Sequence, residues 1–206
     1  STTFHARLPS SMRIDGTANM IHTSWRVASR LIGGALVVGP GFPTQPGQAA
    51  TPGKVEAKVS VFIPVSSLKS VEEDGSHYSD AMDNVMYDHL KAEQFTRISF
   101  HLTELTLKEA AKSKDAPYVF EAKGDLCVAG VTNAITMPVS VLPLGDVKGE
   151  DQLKISGTVT VKMSSFKISP PAPKIALGML KTGDDVKLSF DWLVGHKAET
   201  ASASAK

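Results

Sequence analysis

The chain has 206 residues, 42 % of them hydrophobic and 21 % charged, with a formal net charge of +1. That length suits one domain with a sizeable core. The even charge balance, with Lys and Arg scattered, excludes the basic face of a nucleic-acid binder and the polybasic cluster of a membrane anchor. One cysteine, Cys127, excludes an intramolecular disulfide scaffold, and no apolar run approaches the roughly 18 residues of a membrane-spanning helix.

Along the chain, residues 1–11 read as a loose arm. "MRIDGTANMIHTSWRVASRLIGGALVV" can supply two or three strands, with Ile21, Trp25 and Val27 on one side. "GPGFPTQPGQAATPG" (residues 39–53) is dense in Gly and Pro and reads as a long loop between strands. "KVEAKVSVFIPV" then alternates, placing Val55, Ala57, Val59, Val61, Ile63 and Val65 on one face.

The stretch "SDAMDNVMYDHLKAEQFTRISF" (residues 79–100) carries the one helical signal, over residues 81–93. Met82, Val85, Met86, His89 and Leu90 fall at i, i+3, i+4, i+7 and i+8 and form an apolar stripe. Asp83, Asn84, Tyr87, Asp88 and Lys91 take the remaining surface, and Ser79 or Asp80 can cap the start. Such a stripe either plugs the end of a β-core or lines one end of a ligand channel, a role that suits flexible, polarisable Met.

After a polar loop, "KEAAKSKDAP", the period of two returns. "YVFEAKGDLCVAG" sets Phe120, Ala122, Leu126 and Val128 against Glu121, Lys123 and Asp125. "AITMPVSVLPL" aligns Ile135, Met137, Val139 and Val141, and "LGDVKGEDQ" reads as a hairpin connection. "LKISGTVTVKM" aligns Ile155, Val159, Val161 and Met163, and "DVKLSFDWLV" aligns Val186, Leu188, Phe190, Trp192 and Val194. The tail, residues 197–206, is small and polar and reads as disordered. About eight half-buried strands predict an all-β protein whose antiparallel sheet stacks as a sandwich or closes into a barrel to protect its edges.

The chemistry of catalysis is not visible. There is no phosphate-binding glycine loop, zinc signature, Cys-x-x-Cys pair or nucleophile elbow. His77, Asp80, Asp83, Asp88 and His89 come nearest to a metal cluster, but acids on a helix surface are ordinarily solvated and His89 falls on the apolar stripe. His22, Ser24 and His101 define no nucleophile–base arrangement, and Cys127 lies on the polar side of its strand. The reading is a protein without catalytic or metal-binding residues and not an enzyme.

Several blocks carry a family resemblance. "DNVMYDHLKAEQFTRISF" resembles the D-x-x-M-x-x-x-L-K-A…I-x-F block of the YceI-like family, the polyisoprenoid-binding, lipocalin-like proteins. "FEAKGDLCVAGVTNAITMPV" is similar to its G-x-L-x-x-x-G-V-T strand pair. "SGTVTVKMSSFKISPPAPKIALGMLKTGDDVKLSFDWLV" is similar to its carboxyl-terminal strands, and "IDGTANMIHTSW" to an amino-terminal G-T-S-x-x-H-x-W pattern. Ala18 and Asn19 depart from that pattern's Ser-Thr, and Thr96 stands where Pro is common.

The resemblance implies an eight-stranded antiparallel lipocalin-like barrel over residues 12–196, with a short helix near its mouth. It implies an elongated apolar interior holding a long isoprenoid lipid, such as a polyprenyl phosphate or an isoprenoid quinone, with no covalently bound cofactor. It also implies export to the periplasm with a signal peptide removed, no membrane span, and compatibility with a homodimer. The expected lining residues are Trp25, Val61, Met82, Met86, Leu90, Phe95, Phe100, Phe120, Leu126, Met137, Val141, Val161, Met163, Leu188, Phe190 and Trp192, some of them packed core. The alternative is a structural protein with a filled β-core that binds another protein through its long loops.

Overall fold

The computed structural model describes residues 1–18, 23–170 and 182–199. Ile21, His22 and residues 200–206 therefore lie outside the described residues. The strands are β1 (Thr2–Ala18), β2 (Thr23–Ser29), β3 (Gly33–Val38), β4 (Gly53–Lys54), β5 (Ala57–Pro64) and β6 (Lys69–Ser70), followed by helix α1 (Asp80–His89). The rest are β7 (Arg97–Glu109), β8 (Tyr118–Val128), β9 (Val131–Asp146), β10 (Asp151–Lys162) and β11 (Thr182–His196). Strands β1, β3, β5, β7, β8, β9, β10 and β11 are neighbours in that order, all antiparallel, and β11 returns to pair with β1. The sheet is thus a closed eight-stranded barrel. Closure removes the exposed edges that the alternating pattern would otherwise leave.

The alternation decides what faces inward. On β8, Tyr118, Phe120, Ala122 and Leu126 are buried while Lys123 is exposed. On β10, Leu153 and Ile155 are buried while Lys154 is exposed. Where the apolar positions change parity, the pairing slips to match. In β7 the inward side chains are Ile98, Phe100 and Leu102, then Leu105 and Leu107, and the register with β8 shifts between Leu102 and Glu104. The extra residue, Thr103, donates its hydroxyl to the Lys123 carbonyl at 3.0 Å. This bulge keeps both halves of β7 facing the core.

Residues 39–53 seal one end of the barrel, its base. Phe42 is buried and stacks on Phe120, with ring centroids 5.4 Å apart. Gln48 Oε1 accepts from the Thr44 and Gln45 N–H groups at 2.9 and 3.1 Å, and the Tyr118 hydroxyl donates to the Gln48 carbonyl. Gly41 and Gly47, at φ +87° and +69°, supply the left-handed turns this course needs. The loop therefore spends its apolar side chains on the barrel itself.

Two sequence expectations change. Residues 1–11 are not a loose arm: from Thr2 on they form the first part of β1, with Phe4 buried against the His196 ring at 5.6 Å and Arg7 bridged to Glu150 at 2.6 Å. The helix ends at His89 rather than near residue 93, because Lys91 adopts φ +52° and its N–H turns back to the Asp88 carbonyl. A left-handed residue just past the last turn stops a helix whatever its side chain.

If the loop seals the base, Phe42→Ala should cost about 3–5 kcal/mol, the range for deleting a buried Phe. Guanidinium unfolding measures it, and a loss below about 1 kcal/mol would mean that Phe42 is not part of the core.

Candidate functional site: the barrel mouth and lumen

The opposite end is the mouth. β5 ends there at Pro64 and β7 begins there at Arg97, so residues 65–96, with α1 in their middle, pass over it. On this side Val27 of β2 is buried, as are Val65 and Leu68 at the start of the segment. Across the mouth, Phe166 and Ile168 fold in from the turn after β10, and Asn133 Nδ2 donates to the Ser165 carbonyl at 2.6 Å. Neither residue stands out in the sequence, because both follow the end of the β10 alternation.

Helix α1 is held largely by polar contacts. Ser79 Oγ caps its start by accepting from the Met82 N–H at 3.2 Å. Asp83 is only 2 % exposed; its Oδ1 accepts from the Ser70 N–H at 2.6 Å and its Oδ2 lies 2.7 Å from His77 Nε2. The Tyr87 hydroxyl donates to the Leu68 carbonyl at 2.7 Å. Met86 and Leu90 add apolar contact with the core, while Val85 is 45 % exposed. The stripe expected from the sequence is therefore only partly used. Asp83 and Tyr87, expected on the free surface, anchor the helix. Helical spacing located a face but could not show that a β-strand amide would meet a carboxylate there.

His77, Asp80 and Asp83 converge so that one ligand-type atom from each lies within 4.8 Å of the others. The Asp83 oxygens are already engaged by Ser70 and His77, so the group works as a latch between β6 and α1. Burial pushes the Asp83 carboxyl up, but the hydrogen bonds from Ser70 and the His77 contact outweigh it and hold the group below its ordinary range.

Inside the barrel, access to solvent changes along the strands. At the base, Tyr118, Phe120 and Leu153 are fully buried. At mid-height Phe100, Met137 and Ile155 each keep 8 % exposure. Farther along the strands Val61, Ile98, Ile135, Val161, Leu188 and Phe190 are only partly buried, although all pack against the core cluster, while Ile63 and Val186, nearer the mouth, are buried again at 6 % exposure. These side chains face inward by alternation, and they keep more solvent access than those of the filled base.

The expected lining residues divide accordingly. Phe120, Val141 and Trp192 lie in the packed base, and Trp192 Nε1 donates to the Ile32 carbonyl at 3.2 Å. Phe100, Leu126 and Met137 sit at mid-height. Trp25, Val61, Val161, Met163, Leu188 and Phe190, together with Met86 and Leu90 under the helix, are partly buried toward the mouth. Met82 is partly buried outside the core cluster, and Phe95 stands at the rim, 37 % exposed, with its ring over Gly130. Met12, Ile14, Ile98 and Ile135 join the inner wall without having been singled out as lining residues, although the period of two could have found them.

Fold and lumen define a lipocalin-like closed barrel with one sealed end. The sequence matches the YceI-like domain over residues 14–193, and the chain belongs to the YceI-like family. A polyisoprenoid-binding domain from Saccharophagus degradans superimposes with a TM-score of 0.63 at 10 % identity, covering 95 % of this chain and 98 % of that one. Burkholderia cenocepacia BcnA gives 0.58 at 14 % identity over 88 % and 95 %. A mutant Campylobacter jejuni YCEI protein with a monobromobimane guest gives 0.55 at 16 % identity over 84 % and 85 %. At these identities the likeness is one of fold. Among proteins with curated descriptions, none matches the chain.

The latch sets a pH dependence. Because the folded carboxyl of Asp83 titrates below its ordinary value, its contribution is present above about pH 4 and is lost as pH falls through the lowered folded value. Asp83→Asn should cost about 1.5–3 kcal/mol near neutral pH, the scale of hydrogen bonds to a charged group. The gap from the native protein should narrow below about pH 4. Denaturant unfolding over a pH series checks this, and a gap independent of pH would rule out the charged latch.

Proposed function

We propose that this protein binds a long-chain isoprenoid lipid, with the prenyl chain in the lumen and the headgroup at the mouth, for carriage, storage or sensing. The observation that carries the reading is the inner wall: inward apolar side chains such as Val61, Val161, Leu188 and Phe190 keep solvent access above a packed base. A prenyl chain in water costs about 0.8 kcal/mol per exposed methylene, and an apolar lumen removes that cost without specific polar contacts. An eight-stranded barrel has the bore for one such ligand. The Saccharophagus degradans protein of the same fold, described as a polyisoprenoid-binding domain, supports the ligand class.

The headgroup follows from what the wall lacks. Among the described residues, the buried polar side chains are Ser10, Ser29, Ser70 and Asp83, and none is cationic. A phosphate drawn into the barrel would lose its hydration with no positive partner. A polyprenyl phosphate would therefore keep its headgroup outside the lumen, whereas a quinone ring, being uncharged, could enter.

Organic extraction of gently purified protein, followed by mass spectrometry, should recover a prenyl lipid. The delipidated protein should take up added polyprenol or quinone and unfold at higher temperature when loaded. A protein that carries no lipid and takes up neither compound would contradict the reading.

A further inference from the structure

Three glycines of the inner wall lie beside aromatic rings: Gly16 of β1, Gly124 of β8 and Gly157 of β10; Gly34 of β3, opposite Val61, is a fourth inward position, but it has φ +117° and meets the Ser60 backbone instead. A glycine inside a strand lacks a side chain to pack and needs a reason. Backbone strain is not that reason, since none of the three is among the glycines with positive φ. What they share is an aromatic ring laid over them. A Cβ on Gly157 would lie 2.6 Å from Phe190 Cζ and 2.8 Å from its Cε1, closer than real contacts allow. The Phe100 ring lies over Gly124, where the His101 carbonyl oxygen comes equally close, and the Trp25 indole lies over Gly16. All three rings face inward, where the core cluster borders the lumen.

We infer that Gly16, Gly124 and Gly157 set the bore of the lumen by letting Trp25, Phe100 and Phe190 lie flat against the wall, and so select a methyl-branched prenyl chain over a straight acyl chain. The inference rests on the proposed binding of an isoprenoid. A ring beside a full side chain is held off the wall and projects across the barrel. A ring laid on bare backbone turns its face to the lumen instead. Branch methyls make a prenyl chain thicker than a straight chain, so narrowing the bore penalises it first. The outer surface shows that the geometry itself is general: Phe62 lies over Gly33, with the Arg97 guanidinium 4.1 Å above the ring. On the inner wall the same arrangement controls free width.

The test uses lipid-free protein, geranylgeraniol and a straight-chain alcohol of the same main-chain length, with binding followed by quenching of Trp25 and Trp192 fluorescence. Gly157→Ala drives the Phe190 ring tip inward. It should weaken geranylgeraniol binding by about tenfold, the scale of one misfitting carbon in an apolar pocket, and straight-chain binding by no more than about threefold. Gly157→Ala combined with Phe190→Leu should restore the prenyl alcohol. Gly16→Ala, whose nearest neighbours are all atoms of the Trp25 indole, carries the same expectation and serves if the first variant does not fold. Binding of geranylgeraniol as tight in the single variants as in the native protein would overturn the inference. So would a double variant as weak as Gly157→Ala. A native protein that binds neither alcohol would overturn the proposed function, and this inference with it.

Discussion

Strand β11 pairs with β1 from His5 opposite Gly195 to Ala18 opposite Thr182, and the rest of the barrel depends on that seam. β1 is long enough to serve both ends. Its first residues pair with β3 on the side away from β11, and Met12–Ala18 pair with β2. Between them, Arg7 to Ser11 of β1 faces only Leu193 to Asp191 of β11, so the ladder slips. The buried hydroxyl of Ser10 fills the slip: Oγ donates to the Arg7 carbonyl at 2.9 Å and accepts from the Leu193 N–H at 3.1 Å. The barrel strands pair in a closed circuit, and the apolar faces of eight strands can share one interior.

Closure creates a space that side chains must fill or leave. At the base they fill it, helped by Phe42 from residues 39–53. Above the base, aromatic rings lie on inner-wall glycines. The cover over the mouth is of another kind. Helix α1 is fixed by a buried carboxylate, a capping hydroxyl and a tyrosine hydroxyl more than by apolar area. A cover held by a few directional bonds can open without unfolding the barrel, because each bond contributes little and the apolar core is untouched.

Much of this was legible in the sequence. The alternation in β5, β8, β9, β10 and β11 placed the inward faces correctly, since a period of two is a property of the strand itself. The family resemblance added the closure and the position of the helix, which periodicity leaves open between barrel and sandwich. The first part of β1 was missed because Phe4 and Ala6 are only two inward positions before the register slips. The role of Asp83 was missed because its partner, the Ser70 amide, lies on another element. The division of the expected lining residues into fully and partly buried was not legible either. Phe120 and Phe190 look alike in the sequence, and only Phe42 above one and Gly157 beside the other separate them.

The central claim is a barrel packed at its base and hollow toward its mouth, and single-cysteine labelling tests it most directly. With Cys127→Ser as background, Val161→Cys places a thiol on the inner wall near the mouth, and Leu153→Cys places one at the buried base. In folded, lipid-free protein the thiol at position 161 should react readily with a small thiol reagent and become protected on loading with polyprenol. The thiol at position 153 should stay unreactive in both states. A position 161 thiol as protected as the one at 153 before any lipid is added would mean that the interior is filled throughout, and the account would be wrong.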